Sequence, residues 1–91
     1  MRIEWDPKKA AISERKHGVS FVEACEAFED PAAVMLYDEM HSWTEERWQL
    51  YGYSSRRLLL VVFVERKNDV TRIITAREVN RRERKLYEEG E

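Results

Sequence analysis

Two groups of side chains in this 91-residue sequence have the types and spacing to act on a phosphate ester. The first lies between Pro7 and Gly18, where a helical advance of about 100° per residue gathers Lys9, Ser13, Lys16 and His17 on one stripe. Ammonium groups hold phosphate oxygens, and an imidazole transfers protons near neutral pH. The same stripe also reads as a solvated helix face whose C-terminal histidine complements the helix dipole. The second group is a pair of arginines, Arg47 at the start of one expected strand and Arg77 at the end of another. Guanidinium forks fit phosphate and carboxylate equally well. Each is therefore either a phosphate clamp or an ion-pair partner for Glu83, which helical periodicity turns toward a packed side where a lone carboxylate is costly. Other reactive types carry less. Cys25 falls on an apolar helix stripe and reads as a small core side chain. The two histidines stand 24 positions apart and do not have metal-ligand spacing with one cysteine. No glycine-rich phosphate loop is present, so neither metal nor cofactor is expected.

The elements that must position these residues follow from local signals. Ile3 to Trp5 reads as a short strand, and Asp6 with Pro7 starts a helix, the aspartate capping and the proline sitting where its missing N–H costs nothing. That helix should run to His17 and stop at a left-handed Gly18. Ser20 and Glu23 have the form of a capping box for a second helix. Its apolar stripe is Phe21, Ala24, Cys25 and Phe28, and Asp30-Pro31 ends it. Ala33 to Tyr37 is strand-like, and Asp38 to Glu45 is a polar loop. Arg47 to Tyr53 alternates, with Trp48 and Leu50 on one face and Arg47, Gln49 and Tyr51 on the other. Leu58 to Val64 is an unbroken apolar run, expected of a central strand covered on both faces. Lys67 to Asp69 is turn chemistry leading into a strand over Val70 to Ala76. Thr75 with Glu78 looks like another capping box, opening a last helix from Glu78 to Glu89 before Gly90. On it Val79, Glu83 and Leu86 face one way, and Arg81, Arg84 and Lys85 the other. The order is β-α-α-β-β-β-β-α, with connections between successive strands too short for parallel crossovers. This predicts a small α+β domain on an antiparallel sheet.

Composition narrows the class. The length predicts a single domain, 1–91. An apolar fraction of 43% supports a globule, while the seven-residue run Leu58 to Val64 is far short of the ~20 residues a bilayer span requires. The first residues lack the apolar segment of a secretion signal, and one cysteine makes no internal disulfide, so a reducing, cytoplasmic setting away from membranes is expected. Net charge is −2, but residues 1–55 carry 6 basic and 11 acidic side chains, and residues 56–91 carry 10 and 7. Opposite blocks suggest one surface for a polyanion and another for a basic partner.

Taken in order, the motifs resemble the BrnT family of type II toxins over essentially the whole chain. They are Trp5-Asp6 with Lys9, the run from Lys16 to Phe21, Glu23-Ala24, and Phe28 to Pro31. Then come Glu45 to Arg47, Gly52 to Ser54, Leu59 to Val62, and Arg72 to Arg77 followed by Glu83 and Tyr87. Ser13 stands where the family usually has Asn, and Thr75 where Ser is common. The resemblance implies a RelE-like ribonuclease fold and an endoribonuclease toxin that arrests translation. It also implies a cognate ribbon-helix-helix antitoxin, with DNA reached only through that partner. Ribbon-helix-helix proteins are dimers, so a two-plus-two complex is expected.

Metal-independent RNA cleavage needs a base for the 2′-hydroxyl, a cation for the phosphorane and an acid for the 5′-oxygen. Under the resemblance, His17 or Glu46 serves as base or acid, and Arg47 and Arg77 clamp the phosphate. Lys9, Lys16 and Arg81 hold RNA electrostatically, and Tyr51, Tyr53 or Tyr87 stacks a base. The contrasting reading is a non-catalytic RNA- or protein-binding module of the same fold. A transcription factor acting alone is disfavoured, because no helix-turn-helix spacing stands out.

Overall fold

A computed structural model describes residues 1–90. After strand β1 (Arg2–Glu4), Asp6 accepts a 2.9 Å hydrogen bond from the Lys8 N–H and starts helix α1 (Pro7–His17). Gly18 ends it at φ 75°, its N–H donating to the Glu14 carbonyl. Ser20 caps helix α2 (Phe21–Ala27) by accepting from the Glu23 N–H. The expected box is only half formed. The Glu23 carboxylate is instead taken by Arg57, at 2.8 and 3.0 Å, and by the Ser54 hydroxyl. Helix α2 also stops sooner than the Asp30-Pro31 signal implied. The N–H groups of Phe28, Glu29 and Asp30 tighten to the carbonyls of Cys25, Glu26 and Ala27, which closes the helix end, and the Asp30 side chain is free to accept from the N–H groups of Ala32 and Tyr53 and from the Tyr87 hydroxyl.

Strands β2 (Val34–Tyr37), β3 (Trp48–Tyr53), β4 (Leu58–Arg66) and β5 (Val70–Glu78) complete a five-stranded sheet in the order β1-β5-β4-β3-β2. Strands β2 to β5 pair antiparallel, as the short connections required. Strand β1 adds a parallel edge on β5, a geometry open to it because two helices and three strands separate them along the chain. Between β4 and β5 the chain turns through Asn68 and Asp69, both left-handed at φ 64° and 59°, which Asn and Asp tolerate.

Helices α1 and α2 cover one face. Phe21, Ala24 and Ala27 meet Leu50, Leu59, Val61, Phe63 and Ile73 there, with Cys25 and Phe28 packed at the margin. Burial pushes the Cys25 thiol pKa up, in keeping with a packing role. Strand β4 is central, and of its seven apolar residues only Val62 is left partly exposed.

The last helix begins later than the Thr75–Glu78 pattern implied. Arg77 and Glu78 remain in β5, opposite Leu60 and Leu59, and the Val79 N–H extends the ladder to the Leu58 carbonyl. Pairing with a central strand outweighs a local capping signal. Helix α3 (Arg81–Glu89) is capped by Asn80, in a full box with Glu83, and ends at Gly90. Arg84 also departs from the expected outward face, donating to the Tyr53 hydroxyl at 3.1 Å.

Candidate active site

Strand register selects the residues on the sheet face opposite α1 and α2. Gln49, Val62 and Thr75 lie in one row across β3, β4 and β5, and Tyr51, Leu60 and Arg77 lie in the next. Directly paired residues share a face, so both rows project away from the helix-covered core. Over them folds the loop between β2 and β3. The Asp38 N–H donates to the Arg47 carbonyl at 2.9 Å, and the Ser42 hydroxyl accepts from the Arg47 N–H at 2.8 Å. This closure sets a 3₁₀ turn, Glu39–His41, over the sheet.

The result is a cleft of about 230 Å³ lined by Asp38, His41, Arg47, Gln49, Thr75 and Arg77, with Leu60 and Val62 as its floor. His41 Nδ1 stands 3.1 and 3.2 Å from the two carboxylate oxygens of the buried Asp38. An ionised carboxylate only accepts, so Nδ1 carries the proton and Nε2 is left to exchange one. Arg47 makes no ion pair among the described residues, and its Nε is buried without a hydrogen-bond partner. A buried donor in that state wants an acceptor, and an anion entering the cleft supplies one. Arg77 is forked onto Glu83 at 2.9 and 2.7 Å, and Glu83 also accepts from the Asn80 N–H at 3.0 Å. The Arg77 guanidinium lowers the Glu83 pKa, and the carboxylate in turn raises that of Arg77. Arg77 thus has the carboxylate partner considered from sequence while still lining the cleft.

The predicted site residues fall into separate places. Arg47 and Arg77 come together. Lys9, Lys16 and His17 line a neighbouring hollow of about 260 Å³ between α1 and β5, floored by Ile74 and bordered by Thr75, which also borders the cleft. Buried Ser13 sits in that hollow and accepts from the Ala76 N–H at 3.4 Å, tying α1 to β5. Glu46 is exposed outside the cleft lining, and Arg81 is exposed at the start of α3. Tyr87 donates to Asp30, and this bond pushes its pKa up to about 12. Its ring also lies edge-on to Tyr53 at 5.4 Å. Tyr51 is buried with its hydroxyl on Gln49. Tyr53 alone of these three is exposed. The sequence reading did not assign His41 and Asp38 a role. Their i, i+3 spacing was visible, but only the closure by Ser42 and Arg47 turns that loop onto the sheet.

Two guanidiniums and a histidine–carboxylate pair over an open sheet equip a small α+β domain for phosphodiester chemistry. Comparison with known proteins gives that class a family. The family model described as "Ribonuclease toxin, BrnT, of type II toxin-antitoxin system" matches residues 5–83. Among solved structures, the ribonuclease toxin BrnT of Brucella abortus superimposes with a TM-score of 0.72 at 22% identity, over 89% of this chain and 99% of that one. That likeness speaks for the fold, and it agrees with the element order read from sequence. No curated protein matches the chain in sequence. The chain belongs to the BrnT family of type II ribonuclease toxins, with RNA as substrate and an antitoxin as partner. Membership decides for an endoribonuclease over a non-catalytic binding module. Among the described residues no helix is long and apolar enough to cross a membrane.

Proposed function

We propose that the cleft between Arg47 and Arg77 is where RNA is cut, and that His41, held by Asp38, transfers the proton. The ribose 2′-hydroxyl gives its proton to His41 Nε2 and attacks the adjacent phosphorus. The P–O5′ bond breaks, leaving a 2′,3′-cyclic phosphate on one fragment and a 5′-hydroxyl on the other, whose proton is returned by the imidazolium or by water. Arg47 and Arg77 hold the phosphorane charge, and Lys9, Lys16 and His17 hold neighbouring RNA in the hollow beside α1. Arg81 contributes long-range attraction from α3. What supports the reading is the buried, unpartnered Nε of Arg47 beside a histidine–carboxylate pair. Proton transfer is given to His41 rather than to His17 or Glu46, because His41 shares a cleft with both arginines and the other two do not. All the parts are side chains, so the reaction is proposed to run without a metal ion and to persist in excess EDTA.

The biological reading follows. RNA cleavage arrests translation in the cytoplasm, and a ribbon-helix-helix antitoxin neutralises the toxin in a two-plus-two complex by covering the basic face around Arg77 and α3. Exposed Met40 and Trp43 flank His41 and offer that partner an apolar rim. The decisive experiment replaces the scissile ribose with deoxyribose in a short oligoribonucleotide that the protein cuts. Cleavage should vanish at that bond only, and His41→Ala should lower cleavage of the all-ribose strand by roughly 10²–10⁴-fold. Cutting at the deoxyribose position, or an undiminished His41→Ala, would overturn the mechanism.

A further inference from the structure

The cleft is one end of a longer cationic surface. At the opposite end of β5, a groove of about 730 Å³ is lined by Arg2, Lys9, Arg66, Lys67 and Arg72 with one carboxylate, Glu4. Two of these cations are occupied: Arg72 pairs with Glu4 at 2.7 Å and Arg66 with Glu45 at 3.0 Å. Arg2, Lys9 and Lys67 have no ion-pair partner among the described residues, so the groove keeps three cations in excess. Register puts it on the same side of the sheet as the cleft. Arg66 pairs with Val70, which pairs with Arg2, and Arg72 pairs with Glu4 and Val64, in line with the Val62 and Leu60 rows.

Lys9 lines both this groove and the hollow beside α1, and Thr75 lines both that hollow and the cleft. Three concavities therefore adjoin through shared walls. We infer that they form one track for single-stranded RNA, with a second phosphate-binding subsite at Arg2, Lys9 and Lys67, remote from the bond that is cut. This deepens the proposed function and rests on the cleft being the cleavage site. From Arg72 to Arg77 the strand advances roughly 16 Å, which matches at most about five nucleotides at the ~3.4 Å rise of a stacked strand. Charge complementarity selects a phosphodiester backbone. Among the described residues the groove's lining holds no aromatic ring on which a base could stack, so it reads backbone rather than sequence. Substrate length should therefore matter: strands that reach the groove bind better than strands that fill only the cleft.

The test compares oligoribonucleotides of about three and about ten nucleotides, with the same cut site, on the wild type and on Arg2→Gln/Lys67→Gln. Both residues are exposed and outside the cleft, and a thermal melt checks that the fold is kept. The wild type should cut the long strand with the lower KM. The double variant should raise KM for the long strand alone, leaving kcat and the short strand unchanged. Each lost phosphate contact removes about 0.7 from the salt slope of a single strand. From 50 to 200 mM salt, the KM of the wild type should then rise about sevenfold more than that of the variant. Equal salt slopes, or no length advantage in the wild type, would overturn the track. A variant that loses antitoxin affinity with KM for RNA unchanged would also overturn it, assigning the groove to the partner protein. If neither strand is cut, the cleft reading fails instead, and fluorescence anisotropy of the same strands still decides the track by the same salt comparison.

Discussion

Replacing Arg77 perturbs two things at once, and the structure says how to separate them. Arg77→Ala removes both side-chain hydrogen bonds to a Glu83 carboxylate that is only 14% exposed, leaving it the Asn80 N–H. Bonds to charged groups contribute about 1.5–3 kcal/mol each, but the guanidinium is 35% exposed and solvent screens it. A loss of roughly 2–3 kcal/mol is therefore expected, or roughly 8–24 °C in melting temperature for a domain of this size. Adding Glu83→Gln removes the orphaned charge and should restore about half of that loss. Catalysis should not follow stability. If Arg77 holds the phosphorane, cleavage falls about 10²–10³-fold in the single variant and stays down in the double. Cleavage rates are measured below both melting midpoints, so that each variant is folded. Recovery of cleavage in step with the melting temperature would refute the clamp and leave Arg77 as the partner of Glu83 alone.

Three further outcomes are expected. Glu23 is held at about 2, below its ordinary 4.5, first by its hydrogen bond from Arg57. Its stabilisation, about 3 kcal/mol at most, is complete above about pH 4.5 and lost as the pH falls toward about 2, so Glu23→Gln should flatten the acid limb of a pH–stability curve. Gly52→Ala would bring a Cβ within 2.6 Å of the Ala27 carbonyl oxygen, so urea titration should show a loss of about 1–3 kcal/mol as α2 is pushed off β3. If the antitoxin covers the basic face around Arg77 and α3 as proposed, its association should slow as salt rises in stopped-flow measurements; a rate indifferent to salt means that the inhibitory surface lies elsewhere.

What could be read from the sequence was whatever local chemistry decides. Asp6, Gly18 and Ser20 act through neighbours two to four residues away, so their caps form as expected. Leu58 to Val64 marks the centre of the sheet by composition alone. The errors lie where a distant partner competes for the same atoms. Glu23 had the spacing of a capping box, but a guanidinium 34 residues later offers two bonds and a full positive charge where the Ser20 N–H offers one bond. Thr75 and Glu78 had that spacing too, but β4 supplies ladder partners for the same backbone.

The candidate site divides along the same line. Arg77 was legible because a strand end can be counted, Arg47 because it adjoins one, immediately preceding β3 rather than opening it as expected, and Lys9, Lys16 and His17 because helix faces can be counted. Strand and helix periods assign a residue to a face without saying which faces meet. They correctly turned Arg47 and Gln49 away from Trp48, and the histidine they could assign to a face was His17, which lines the hollow beside α1. His41 has no periodic signal, since its position depends on Ser42 bonding to Arg47 and on a buried Asp38. The face that the 3₁₀ turn covers is the one with Val62 partly exposed. The cleft thus takes Gln49 and Arg77 from the strands and His41 and Arg47 from the segment that closes over them, and the roles proposed for RNA cleavage are shared between the two.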